Sequence, residues 1–445
     1  MIKGMESMLI LLVMNLLVVF SAYLLASRCF KLKNAIDSWV LVFLLYFTQI
    51  ILTELMLGIE GRLFLLKLLI LNSAILFSVW MITRKRQSNI LGQENFLEII
   101  SADKSLLLAI CVLSGFALAK ISINLVNPPF GWDSLNYHFT FPVEWLKNGN
   151  LNMPITINDD PSPPYYPLNG NLFFFWLMLP LKNVFLADLG QLPFFVVSFF
   201  LTFSISRKMG VSKELSFFSS CLFVLIPNFF KQLQVAYVDI MVAALFMAAL
   251  NFLLSLKEEF SLSNVSAFAI SLGLIIGTKT IALPYSALLL FPFLYLVIKN
   301  KCKPYFILTF ISLVIALGGF TYIRNFITTG NPLYPMDYKL FGKAIFKGVM
   351  DAASYGAHFE GKDHSLTKIL FHEGLGAQTL IFVLPALFAA LPATIIKKKN
   401  CKDLLFLYIL ALPVLLFLTW RFLIPLANIR YLYPLLGVGM VAAFY

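Results

Sequence analysis

The chain has 445 residues, 60% of them hydrophobic and 13% charged; 34 Lys+Arg against 22 Asp+Glu give a net charge of +12, and the mean hydropathy is +0.86. Soluble domains hold roughly 45–50% apolar residues, and a soluble fold of this size has no means of covering the surplus with polar groups. A soluble enzyme, a disordered chain and a nucleic-acid binder are excluded, and the positive charge is read as membrane topology.

A bilayer core of about 30 Å needs about 20 apolar residues of helix. Runs of that kind fall at 8–26, 38–58, 63–82, 105–126, 186–206, 214–230, 240–256, 263–277, 281–298, 304–323, 375–396, 404–420 and 431–445. None alternates as a membrane barrel strand would, so helices are expected. The predicted fold is all-α: a polytopic membrane protein of about 13 transmembrane helices, with interfacial helices and two long extracytoplasmic loops. The first run lacks a small-residue cleavage site and reads as an anchor. No internal repeat is visible, which speaks against transporter-like pseudosymmetry.

The stretch 168–181 is apolar but only fourteen residues long. It is either a short span or a helix lying in the outer interface. Five basic clusters decide between the two: Arg28/Lys31/Lys33, Arg84/Lys85/Arg86, Arg207/Lys208/Lys213, Lys299/Lys301/Lys303 and Lys397/Lys398/Lys399/Lys402. All five fall on the cytoplasmic side only if 168–181 does not cross. On the interfacial reading, loops 127–185 and 324–374 lie outside. They hold all four histidines, His138, His358, His364 and His372, and none of the five cysteines, Cys29, Cys111, Cys221, Cys302 and Cys401. Disulfides are not expected, and the histidine spacing is not a zinc pattern.

The first outer loop opens on Asn127-Pro128-Pro129-Phe130-Gly131-Trp132-Asp133-Ser134-Leu135-Asn136-Tyr137-His138 and continues into a short amphipathic stretch, 142–149, suited to a membrane surface. Asp133 has two readings, a cap for the helix that follows or an acid that does chemistry. Asp159 and Asp160, ahead of Pro161, read as turn residues. Tyr237-Val238-Asp239 sets a carboxylate at the mouth of the 240–256 run. It is either a helix-dipole partner or, on the same face as Asp133, a site residue. Gly277-Thr278-Lys279-Thr280 puts a lysine outside, as a snorkelling anchor or as a grip for an anion such as phosphate. Arg324-Asn325, Arg421 and Arg430-Tyr431 add guanidinium groups, which hold phosphate through a bidentate fork. Gly330-Asn331-Pro332-Leu333-Tyr334-Pro335 is turn chemistry. Tyr137, Trp145, Tyr165 and Tyr166 offer faces for sugar rings as well as ordinary interface anchoring.

Taken in order over 125–435, five pieces resemble the GT-C superfamily of membrane glycosyltransferases. They are Trp132 to His138, the Tyr-Pro-rich run Tyr165 to Asn171, Tyr237-Val238-Asp239, Gly277-Thr278-Lys279, and the pair Gly330 to Pro335 and Arg430-Tyr431. The nearest look is to bacterial relatives of protein O-mannosyltransferases and of the lipid A aminoarabinose transferase, a family 39-like pattern. The resemblance implies transfer of a sugar from a polyprenyl phosphate or diphosphate carrier, with inversion, on the extracytoplasmic side of the cytoplasmic membrane.

Within that reading Asp133, Asp239 and His138 are the catalytic candidates. Lys279, Arg324 and Arg430 are expected to hold the donor phosphate. Tyr137, Tyr165, Tyr166, Asn331 and Tyr334 are expected against sugar or acceptor. Many members carry a second acid next to or two after the first, where this chain has Ser134 and Leu135. No metal ligand is assigned, and dependence on Mg or Mn stays open. Expected partners are the lipid-linked donor, membrane lipid, and an acceptor glycan, lipid or protein, with no nucleic acid. Residues 1–104, three helices outside the resemblance, are expected as an addition to a catalytic module at 105–445. Two other readings suit the same class: a flippase or secondary transporter of lipid-linked sugar, and a surface-polysaccharide polymerase or ligase.

Overall fold

The computed structural model describes residues 2–88, 104–156, 160–340, 343–351, 354–355, 365–396, 403–426 and 428–445. Every apolar run named above is helical. Nine of the described helices are long and apolar enough to cross a membrane, which makes the chain an integral membrane protein. Two bent pairs raise the number to eleven: Lys213–Val224 with Pro227–Gln234, at 63°, and Pro304–Gly318 with Phe320–Thr329, at 67°. Leu262–Ile276 and Ile429–Phe444 are shorter. By length and composition the described residues thus give nine to eleven candidate spans besides these two shorter helices, and the expected count of thirteen is not confirmed.

The breaks have local causes. Pro227 drives Ile226 into an extended conformation (φ −56°, ψ 124°), which ends the helix before it. Gly318 and Gly319 separate the other pair. A Cβ at Gly318 would lie 2.7 Å from the carbonyl oxygen of Gly273, so the Leu262–Ile276 and Pro304–Gly318 helices touch backbone to backbone.

Asp239–Glu258 is the central post. It is buried from Asp239 to Leu256. It packs on Leu262–Ile276, Leu192–Lys208, Tyr433–Phe444 and Ala282–Lys299, as a helix apolar on every face must. The 168–181 stretch is neither a span nor a surface-lying helix. It forms Asn169–Met178, ten residues, or about 15 Å of helix. Its Phe173 meets Phe47 edge-on at 5.5 Å and Phe194 at 5.6 Å. Having no polar face to show to headgroups, it packs inside the protein against Ala35–Ile59.

The N-terminal helices are knitted into the rest through Ala35–Ile59. Asp37 and Lys208 form a 2.7 Å ion pair with side chains only 5% and 7% exposed. Asn251 donates to Asp37 (2.8 Å), Ser255 donates to it (3.0 Å), and Lys208 also donates to Asn251 and Ser255. At the same end Lys33 pairs with Glu259 (3.0 Å) and Arg86 donates to Cys29 (3.6 Å). Lys257, Lys299 and Asp403 line one cavity there. Four of the five basic clusters thus share one end of the helices, and Lys397, Lys398, Lys399 and Lys402 lie outside the described residues. Cys29, Cys111, Cys221 and Cys302 form no disulfide, and Cys401 lies outside the described residues.

Breaking the buried Asp37–Lys208 pair leaves a charge uncompensated in a low-dielectric interior. Lys208→Met is expected to destabilise the protein by about 3–5 kcal/mol, and adding Asp37→Leu to recover most of that. Unfolding midpoints in detergent micelles check both.

Candidate active site

The site begins where the first loop leaves its helix. Gly131 has φ +101°, and a Cβ there would sit 3.0 Å from Val235 and 3.3 Å from Tyr237. The loop can therefore press against the segment that leads into Asp239. Residues Ser134–His138 then wind as a π-turn, a form frequent at functional sites.

Asp133 stands just ahead of that turn and makes no side-chain cap to it. Its carboxylate goes instead to Arg430, Oδ2 to Nη1, at 2.7 Å. Asp239, first residue of its helix, likewise gives no cap bond. Its Oδ1 meets Lys279 Nζ at 2.7 Å and its Oδ2 meets Arg430 Nη1 at 3.5 Å. Lys279 lies 4.7 Å over the Tyr431 ring, and Arg430 lies 4.7 Å over Tyr237 and 5.6 Å over Tyr431. The order Asp133–Arg430–Asp239–Lys279 alternates in sign. The four side chains are 13%, 14%, 2% and 15% exposed. Alternation is what a site of low dielectric demands, since an unpaired charge there costs several kcal/mol. Lys279 is held by a buried carboxylate, so snorkelling does not explain it.

Local packing fixes each member. Asn428 Oδ1 accepts from the Arg430 N–H at 3.1 Å and starts its turn. The Asn169 amide donates to the Leu274 (3.2 Å) and Leu317 (2.9 Å) carbonyls, and its N–H to the Gly277 carbonyl (2.8 Å), which fixes the turn before Lys279. Gln191 is fully buried. It donates to the carbonyls of Gln232 and Val235 and accepts from the Ile240 N–H, each at 3.0 Å. It thus supplies the cap that Asp239 does not.

His138 is buried with Nδ1 2.5 Å from Asn171 Oδ1. Burial pushes its imidazole down to about 4, so the ring is neutral at ordinary pH. Tyr137 meets Tyr166 edge-on at 5.6 Å, and the Tyr166 and Tyr355 hydroxyls are 2.5 Å apart. Burial pushes the Tyr137 and Tyr166 phenols well up.

Other candidates fall elsewhere. Arg324 has no carboxylate partner among the described residues. It donates to the Pro164 carbonyl at 2.6 Å and to Asn325 Oδ1 at 3.2 Å. Asn325 in turn donates to the Tyr165 carbonyl at 2.9 Å. Arg324 thus braces the turn that carries Tyr165, whose ring lies 4.3 Å from Tyr334. Asn331 is fully buried and staples the second loop: its amide donates to Met336 (2.8 Å) and Lys347 (3.1 Å), and its Oδ1 accepts from Leu333. Asp160 accepts from the Ser162 N–H at 2.9 Å, as a turn residue does. His372 Nδ1 accepts from the Gly374 N–H at 3.0 Å. His358, His364 and Asp159 lie outside the described residues.

Buried polar atoms without a hydrogen-bond partner among the described residues collect around the four charges: Ser134 Oγ, Asn136 Oδ1, His138 Nε2, Gln232 Oε1, Arg430 Nε and Tyr433 Oη. Folded proteins leave few such atoms, and each asks for an explanation. Among the described residues no three His, Cys, Asp or Glu side chains group as a metal site. Both site carboxylates already face cations.

The described residues form a polytopic membrane fold with this charge cluster buried in it. The chain is similar to one solved structure in particular, ArnT from Cupriavidus metallidurans, crystallised bound to undecaprenyl phosphate, with a TM-score of 0.51 and 13% identity. The match covers 75% of this chain and 59% of the ArnT chain, and at that identity it is a likeness of fold. No protein-family model matches the chain, and no curated sequence does.

Because the unfolded chain takes up a proton at His138 near pH 6.5 and the folded one only near 4, stability falls as pH drops through that window. His138→Gln is expected to flatten the decline by on the order of 3 kcal/mol at its full extent. Unfolding midpoints across pH 7 to 4 check it.

Proposed function

We propose that this chain transfers a sugar from a polyprenyl-phosphate-linked donor to an acceptor hydroxyl on the extracytoplasmic side of the membrane, with inversion at the anomeric carbon. The observation that carries the reading is the buried set Asp133, Arg430, Asp239 and Lys279, drawn from four distant segments and ringed by unpartnered polar atoms. The likeness of fold to ArnT, whose crystals hold undecaprenyl phosphate, supports the lipid donor.

A lipid-phosphate donor explains why the chemistry sits in a membrane protein. The tail stays in hydrocarbon while the head reaches the polar cluster. As the glycosidic bond breaks, negative charge grows on the phosphate. Lys279 and Arg430 stabilise that charge most where it is largest, in the transition state. Asp133 takes the proton of the attacking hydroxyl. Asp239 touches both cations and holds them in place. His138, held by Asn171, orients the turn behind Asp133. Arg324 acts by bracing the Tyr165–Tyr334 pair, which is offered to sugar or acceptor together with Tyr137 and Tyr166. Asn331 acts by shaping the loop that carries Tyr334. Both carboxylates pair with the guanidinium and the ammonium, and this reading needs no divalent cation. No step is routed through a metal.

Mass spectrometry of the cell envelope tests the proposal. Cells expressing the wild type are expected to show a lipid or glycan heavier by one glycosyl residue. Asp133→Asn at equal membrane abundance should lower it by at least about 100-fold. An increment that is the same with and without the protein would refute the transfer. Movement of intact lipid-linked sugar without bond cleavage would point to a flippase.

A further inference from the structure

We infer that Asp133 and the donor phosphate are alternative partners of the Arg430 guanidinium, so that arrival of the phosphate displaces Asp133 and makes it available as a base. The inference rests on the proposed function and adds the coupling between its two halves.

Three observations lead to it. First, the four-member set holds two cations and two anions and is neutral, so it offers an incoming anion no net attraction until one carboxylate yields. Asp133 Oδ2 lies 2.7 Å from Arg430 Nη1, so the guanidinium occupies one of the two carboxylate oxygens and the position an incoming phosphate oxygen would take.

Second, the two carboxylates are not equally fixed. Asp239 is 2% exposed, begins a helix buried along its length and is held by Lys279 at 2.7 Å. Asp133 has no cap bond to its own turn. It lies between Trp132 and Leu135, which are 65% and 52% exposed. Asp133 is the carboxylate that can swing.

Third, Arg430 stays in place when Asp133 leaves. Asp239, the ring of Tyr237 and the ring of Tyr431 hold it from other sides. Its Nε is buried without a partner, so the guanidinium keeps a spare donor for an incoming anion besides Nη1.

The exchange makes the chemical step balance. With the phosphate on Arg430 and Lys279, the acceptor hydroxyl gives its proton to Asp133 and its oxygen bonds to the anomeric carbon. The bond from that carbon to the phosphate oxygen breaks, and its electron pair goes to the phosphate. The phosphate gains one negative charge as Asp133 loses one, so the total charge of the site is constant while both cations face the oxygen that receives the charge. Without donor, Asp133 remains tied to Arg430 and activates no water.

Binding of undecaprenyl phosphate to the full chain in nanodiscs, followed by native mass spectrometry, tests this. Asp133→Asn removes the competing anion and is expected to bind on the order of tenfold more tightly than wild type, although it transfers no sugar. Asp133→Glu keeps the charge and should bind like wild type. In an Arg430→Gln background the gain from Asp133→Asn should vanish. Wild type that binds while Asp133→Asn gains nothing, or a gain that persists without Arg430, overturns the inference and leaves the proposed function standing. Wild type that does not bind undecaprenyl phosphate removes both.

Discussion

Arg430 is hydrogen-bonded to one carboxylate at 2.7 Å and leans on a second at 3.5 Å, and those two acids come from segments far apart in the chain. A guanidinium cannot give up its charge, so in a water-poor interior it must be matched by anions brought to it. That requirement ties the first loop, the head of the Asp239–Glu258 helix, the turn after Leu262–Ile276 and the C-terminal turn into one unit. Much of the surrounding architecture serves to hold those four segments within hydrogen-bond distance.

Uncharged amides carry most of that holding. Asn169, Asn171 and Gln191 sit among aromatic and aliphatic side chains, yet each bonds irregular backbone or a site side chain. At membrane depth irregular backbone finds no water to satisfy it, and such segments are tolerated only where protein groups take that place. A second polar knot, Asp37–Lys208 with Asn251 and Ser255, closes the far end of the same central helix. The two knots are separated by about 20 Å of helix, and the wall between them is built from apolar packing.

Particular residues show how far a linear reading reaches. Asp133, Asp239, Lys279 and Arg430 could be singled out because charged groups beside apolar runs are few and conspicuous. Arg324 was equally conspicuous, but no linear pattern told that its donors reach a loop carbonyl instead of the charge cluster. Asn331 resembled a polar contact and is a loop staple. His138 stood out by its place in the loop, and only the fold shows that it is buried against Asn171. Gln191 carried no signal at all, and Asn171 entered only as the end of the Tyr165 to Asn171 run. An amide that bonds backbone far along the chain has no local pattern, and polar residues inside apolar runs read as ordinary tolerance.

Membrane class, helical content and positions of the apolar runs follow from the sequence alone, because hydrocarbon demands about 20 apolar residues with every backbone group internally bonded. That demand is local and is written residue by residue. The bends that break two of the apolar runs, the interior position of Asn169–Met178 and the partner each charge takes were settled only by the tertiary structure. They depend on proline and glycine breaks in context, on which aromatic surfaces interlock, and on neutralising charges from segments far apart in the chain. Such pairings minimise the energy of the folded whole, and no stretch of sequence contains them by itself.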